Sequence, residues 1–284
     1  MSAFSPVLPA VTKAPLLFLR PMRERPVSYQ YDPPPGIPER TGTYDPHLIE
    51  IRNARPLAPA LSLDAEGFTL VRAHSDFSDY HDDAAIRSAY YPEAEQLIAA
   101  ATGAEQVIGF DHNIRNADRA AKGEAGIRAP VPRAHNDFTL RSGPDRVRAE
   151  LELRGLDAET LLRRRFAIIN LRRPINRPAD KSPLALADVR TVAPADLVAT
   201  DLIYRDRIGE TYSVQHNDAQ RWYYFPNLSP NEAILLKGYD SDERAARFTP
   251  HAAFDDPQSP PDAPERESIE VRALAIYPEE ADAS

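Results

Sequence analysis

The sequence predicts an α+β fold with a β core, and three observations lead there. Residues 92–103, Pro-Glu-Ala-Glu-Gln-Leu-Ile-Ala-Ala-Ala-Thr-Gly, place Pro at a first helical position and Gly just past the end, the start and stop signals of a helix. A second stretch at about 144–165, rich in Arg, Glu and Leu, reads as a further helix. The pattern then changes to short β-branched and aromatic runs bounded by turn residues. These runs are Val107–Phe110, Phe166–Leu171, Leu197–Tyr204, Trp222–Phe225, Ala233–Leu236 and Ile269–Tyr277. Regular strands with short turns in the second half argue for an antiparallel sandwich or barrel preceded by helices.

With 284 residues and 42% hydrophobic content the chain can bury a sizeable core, and residues 1–284 are expected to form one domain. The 28 prolines outnumber the 11 glycines and cluster at 21–38, around 174–194 and at 257–264, which marks extended or turning segments. Residues 1–60 are accordingly expected to be an irregular, proline-rich arm packed on that domain.

Composition removes several function classes. The net charge is −9 and the basic residues are scattered, so the electrostatic footprint of a nucleic-acid binder is missing. Cysteine is absent, which excludes disulfides, thiolate metal sites and cysteine nucleophiles. Any metal must be held by His and carboxylates. The apolar run Ala14–Leu19 is far shorter than a membrane span, has only Lys13 in place of a basic leader, and precedes no small-residue cleavage site. A cytoplasmic protein with no membrane partner is expected.

Two imidazoles and one carboxylate on one face of an ion form the ligand set of non-haem Fe(II) sites, with the opposite face open. One His and the carboxylate can sit two residues apart on a strand, because alternate residues point to the same side. The pattern His-x-Asp occurs here at His74, His81, His135 and His216. The first two lie in or beside the acidic run Ser75–Asp83, better suited to capping a helix. Asn217-Asp218 resemble the turn of a hairpin. Only His135-Asn136-Asp137 has a strand-like setting, with room downstream for a second His. His251, late in the chain and just before the final strand, is the better candidate, and His216 is the reserve.

The final strand opens with Arg266-Glu267-Ser268, whose Arg and Ser project to one face. A guanidinium fork with a neighbouring hydroxyl matches a carboxylate and suits the distal carboxylate of 2-oxoglutarate. Arg272 lies on the same face four residues beyond Ser268 and is an alternative clamp.

These residues resemble the AsaB-like hydroxylase/desaturase family, which includes CmcJ-like proteins. The resemblance is carried by Thr102-Gly103-Ala104 leading to Phe110-Asp111-His112, by His135-Asn136-Asp137, by Arg221–Phe225, by Tyr239-Asp240-Ser241, by Thr249–Phe254 and by Arg266–Arg272. It implies a double-stranded β-helix (jelly-roll, cupin-like) core and an oxygenase that uses Fe(II), 2-oxoglutarate and molecular oxygen on a small organic substrate of secondary metabolism. It implies His135, Asp137 and His251 as the iron ligands. The outcome would be hydroxylation or desaturation, which residue identity does not decide. The interval from His251 to Arg266 or Arg272 exceeds the family's usual one, and the insert Pro257–Pro264 accounts for the excess as a loop.

Two rival functions follow from the same residues. CmcJ-like proteins have been associated with methyl transfer, but no Gly-rich loop between a strand and a helix offers a nucleotide-type cofactor a seat. A β-barrel binding protein with a vestigial or structural metal site is the other. The aromatic run Trp222–Phe225 would wall a substrate pocket or pack in the core.

Overall fold

A computed structural model of the chain describes residues 10–279. In chain order the first strands are β1 (Val11–Leu19), β2 (Val27–Tyr29), β3 (Tyr44–Asn53), β4 (Phe68–Arg72), β5 (Gln106–Arg115), β6 (Ile127–Arg128) and β7 (His135–Asn136). They are followed by β8 (Phe166–Pro174), β9 (Leu184–Ala187), β10 (Leu197–Ile203), β11 (Ile208–Val214), β12 (Trp222–Tyr224), β13 (Glu232–Asp240), β14 (His251–Ala253) and β15 (Ser268–Ile276). The helices are α1 (Asp83–Ala85), α2 (Tyr91–Thr102), α3 (Ala117–Ala121), α4 (Ser142–Leu153) and α5 (Ala158–Leu161).

Two sheets carry the fold. The larger runs β1-β3-β12-β9-β14-β7-β11-β10-β2 and the smaller β4-β13-β8-β15-β5-β6. The smaller sheet packs its outer face against the helical layer: Tyr90, Tyr91, Ala94 and Ile98 meet Ile169, Leu171, Ile269, Val271, Ala273 and Ala275 in one cluster. Helix α2 ends where Gly103 turns left-handed at φ +71, as its sequence signals require. The long helix expected over 144–165 is instead two, α4 and α5, because Gly155 at φ +67 stops the first.

Residues expected to form an irregular arm supply two long strands. β1 and β3 pair antiparallel from Val11↔Arg52 to Leu19↔Tyr44. Ala14, Leu16, Phe18, Ile49 and Ile51 then bury against Ala134, Ala185, Ala187, Trp222, Tyr224, Ala252 and Phe254. The alternation that buries every second residue of β1 was masked by Pro15, which sits on the outward face where no side-chain packing is lost. The proline-rich stretch between these strands does stay irregular apart from β2, and residues 1–9 lie outside the described part. At Leu17 the larger sheet curls onto itself: the Leu17 amide donates to the Pro132 carbonyl at 3.4 Å and the Ala134 amide to the Leu17 carbonyl at 2.8 Å.

Candidate metal centre

The candidate site lies in the gap between the facing surfaces of the two sheets. Its larger-sheet wall carries His135 on β7 and His251 on β14, directly paired across the strands. Asp137 follows β7 two residues after His135, on the same side. One ligand atom from each of these three residues lies within 4.8 Å of the others, and the two imidazole centroids are 4.4 Å apart.

Both imidazoles are set the same way. His135 Nδ1 donates to the Arg133 carbonyl at 2.8 Å, and His251 Nδ1 donates to the Thr249 carbonyl at 2.9 Å. A carbonyl can only accept, so each ring carries its proton on Nδ1 and presents the Nε2 lone pair, the arrangement of a metal-ligating imidazole held by its outer hydrogen bond. Burial and the neighbouring His251 push the His135 pKa down to about 3, and burial lowers that of His251. Both rings are therefore neutral near pH 7. Burial opposes ionisation of Asp137, but Arg272 first, with the hydrogen bond from Asn170, outweighs it and holds the carboxyl well below the usual range.

Asn136, on β7 between His135 and Asp137, is fully buried and points the other way. Its Nδ2 donates to the carbonyls of Phe138 at 2.7 Å and Gly238 at 2.9 Å, and its Oδ1 accepts the Thr249 amide at 3.1 Å. The side chain thus ties the His135–Asp137 segment to the one that carries His251.

The opposite wall is the inner face of β5, β8 and β15. Register places Asp111, Arg272 and Asn170 in one row, Asn113, Glu270 and Arg172 in the next, and Arg115, Ser268 and Pro174 in the third. The first row grips Asp137: Asn170 Nδ2 donates to Oδ2 at 2.8 Å and Arg272 Nε donates to the same oxygen at 3.0 Å. Asp137 Oδ1 is left 3.7 Å from His135 Nε2. Arg272 also pairs with Asp111 at 2.7 Å and Glu270 at 3.0 Å, so its fork is committed to three carboxylates.

Beyond the third row lies a cavity lined by Arg172, Leu184, Phe225, Ile234, Arg266 and Ser268, among others. Arg266 Nη1 donates to the Ser182 carbonyl, while Nε and Nη2 have no hydrogen-bond partner, nor has the Ser268 hydroxyl. Burial pushes the Arg266 pKa well below its ordinary value and Arg172 down to about 10. Arg172 has Glu270 at 3.4 Å, whereas Arg266 Nε and Nη2 stay without a partner.

The structure therefore brings His135, Asp137 and His251 together and sets Arg266 with Ser268 on one cavity, while Arg272 belongs to the Asp137 row. His216 lies elsewhere, stacked on His47 with centroids 4.0 Å apart. Asn217 does sit in a turn, but β11 and β12 are not neighbours in the sheet, so no hairpin forms. Asp82 caps α1 through the amides of Ala84 and Ala85, as the acidic run suggested. Trp222 to Tyr224 are core residues, and Phe225 reaches the cavity. Asn170, Arg172 and Glu270 were missed, although polar residues at alternate positions of otherwise apolar strands marked them.

The comparisons with known proteins place this chain among the oxidoreductases. A family model described as "Oxidoreductase/YMDC permease-like domain" matches residues 16–276. The chain is 32% identical to the Fe(II)/2-oxoglutarate-dependent dioxygenase nvfI of Aspergillus novofumigatus, over 87% of this chain and 90% of the relative. It is 33% identical to the hydroxylase/desaturase efuI of Hormonema carpetanum, over 82% and 85% of the two chains. The solved structure of the iron and alpha-ketoglutarate-dependent endoperoxidase NvfI superposes with a TM-score of 0.85 at 28% identity, covering 94% of this chain and 98% of that one. The chain belongs to the hydroxylase/desaturase family of these fungal enzymes. Among the described residues no helix is long and apolar enough to cross a membrane.

Proposed function

We propose that this protein is an Fe(II)/2-oxoglutarate-dependent oxygenase that hydroxylates or desaturates a small organic molecule of secondary metabolism. His135, Asp137 and His251 would hold the iron, Arg266 and Ser268 the distal carboxylate of 2-oxoglutarate, and the two facing sheets would be the halves of a double-stranded β-helix. One observation carries this reading: the three-ligand cluster and a set of unpartnered buried polar atoms face each other across the same gap. Those atoms are Asn113 Nδ2, Asn170 Oδ1, Arg266 Nε and Nη2 and Ser268 Oγ. Buried polar atoms are seldom left unpaired, and this set describes the outline of an absent polar ligand.

The donor set fits the metal: two neutral imidazoles and one carboxylate leave the other side of the ion open. Iron and 2-oxoglutarate, once bound, supply an oxygen-derived oxidant able to remove hydrogen from carbon. The protein's own share is positional. Asn170 and Arg272 occupy Asp137 Oδ2 and would leave Oδ1 for a metal, the carbonyls of Arg133 and Thr249 fix both ring orientations, and Arg266 with Ser268 would offer three donors to one carboxylate. Cations outnumber carboxylates on this wall, which favours a dianionic cosubstrate.

The deciding experiment follows succinate formation from 2-oxoglutarate with Fe(II) and ascorbate, in the intact protein and in His135→Ala, alongside metal content. Metal uptake and turnover by the intact protein, both lost in His135→Ala, is the expected result. A protein that binds no divalent metal and behaves identically to the variant sinks the reading.

A further inference from the structure

On the inner face of β15, Ser268, Glu270 and Arg272 follow one another at alternate positions. Ser268 lines the cavity, Arg272 grips Asp137, and Glu270 stands between them, only 2% exposed. Its two oxygens go to different guanidiniums. Oε1 lies 3.0 Å from Arg272 Nη2, and Oε2 lies 3.4 Å from Arg172 Nη1. Arg172 in turn lines the same cavity as Arg266 and Ser268. A continuous chain of charges thus runs from the cavity through Arg172, Glu270 and Arg272 to Asp137.

The two contacts of Glu270 are unequal. The one to Arg272 is a close ion pair without hydrogen-bond alignment, and the one to Arg172 is a long hydrogen bond. A carboxylate entering the cavity competes with Glu270 for Arg172, because a guanidinium fork turns to the anion that meets it squarely. Glu270 is then left to Arg272 alone and free to align with it, which fixes the guanidinium that holds Asp137 Oδ2.

We propose that Glu270 is a positioning residue that couples occupancy of the Arg266–Ser268 cavity by a dicarboxylate to the aim of Asp137, so that filling the cavity tightens metal binding without chelation by the cosubstrate. This rests on the metal and cavity assignments made above. Coupling between two sites is reciprocal and commonly starts at about fivefold in affinity.

Glutarate separates this effect from chelation, since it has both carboxylates of 2-oxoglutarate and lacks the 2-oxo group. Mn(II) affinity of the full chain is measured by titration calorimetry with and without saturating glutarate, and glutarate affinity with and without Mn(II). In the intact chain glutarate should tighten Mn(II) by roughly fivefold or more, and Mn(II) should tighten glutarate equally. Glu270→Gln should bind each ligand singly but lose the coupling, whereas Glu270→Asp should retain part of it. Equal coupling in Glu270→Gln overturns the proposal. So does an intact chain that binds both ligands with no coupling, a result that needs no variant and stands even if the substitutions fail to fold. An intact chain that takes up no Mn(II) overturns the metal assignment itself, and the proposal with it.

Discussion

Arg272 reaches across the gap between the two sheets and donates through Nε to Oδ2 of Asp137 at 3.0 Å, a link between residues 135 apart in the chain. Asn170 takes the same oxygen at 2.8 Å. An outer partner of a ligating carboxylate governs its orientation, and loss of such a partner costs about 10–100-fold in metal affinity. Arg272→Ala should therefore weaken Mn(II) binding by that order, measured by calorimetry. Unchanged affinity would mean that Asn170 alone orients Asp137.

Arg266→Ala should act on the cosubstrate instead. It removes two unpartnered donors from the cavity and touches neither Asp137 nor the histidines. Succinate-release assays should show the 2-oxoglutarate requirement raised by roughly tenfold or more, as expected for loss of a charged hydrogen bond, with metal content unchanged. A larger rise in the requirement for Arg272→Ala than for Arg266→Ala would transfer the clamp role.

Acid should destabilise the metal-free protein through its buried imidazoles. The unfolded chain protonates histidine near about 6.5, while burial first and His251 second push His135 in the folded protein down to about 3. Between those values the unfolded state binds more protons, so stability rises with pH and falls as the solution is acidified. His251, also lowered by burial, acts in the same direction. The Tm of the metal-free protein should drop more steeply between about pH 7 and 5 than that of His135→Gln. Parallel slopes would show that His135 is not carried into the fold as the neutral ring.

Gly67 bears on the His251 segment through its backbone. Its φ is +93, and an added Cβ would meet the Phe248 carbonyl oxygen and Thr249 Oγ1 at 2.7 Å each. Thr249 Oγ1 donates to the Gly67 carbonyl, and the Thr249 carbonyl in turn holds His251 Nδ1. Gly67→Ala should cost about 1–3 kcal/mol of stability, from a strained backbone that must also shift its neighbour. Denaturant unfolding would measure it; a neutral substitution would mean that the loop relaxes freely.

Asn136→Ala should cost at least about 2 kcal/mol, because it leaves two carbonyls and one amide without partners inside the protein. Metal affinity should fall as well, since the two ligand-bearing segments lose their tie. Retained stability would show that the segments are held by strand pairing alone.

Much of the site was legible because its chemistry is concentrated in residue types. Two histidines and an aspartate with strand spacing stood out in a chain without cysteine, and Arg266 with Ser268 stood out at the mouth of the final strand. Five of the strands from Phe166 onward (β8, β10, β12, β13 and β15) were legible too, since their β-branched and aromatic runs are bounded by turn residues; β9, β11 and β14 were not. β1 and β3 were not, because prolines at positions 15 and 46 broke the pattern locally while packing across the curled sheet recovered the strands. The apparent hairpin at Asn217 failed for a related reason: turn residues define a bend, and strand order alone defines which strands pair.

The sequence by itself determined the mixed class of secondary structure and the absence of thiols, and it offered the candidate ligand set, because these depend on residue type and local spacing. Only the tertiary structure separates Arg266 from Arg272 by their surroundings. Both project from the same strand region with the same charge, and what separates them is the partners that folding brings within 3 Å: Asp137, Asp111 and Glu270 engage Arg272, while Arg266 keeps two nitrogens free. A guanidinium already engaged by three carboxylates anchors a ligand; one left unpaired in a cavity is ready to receive one.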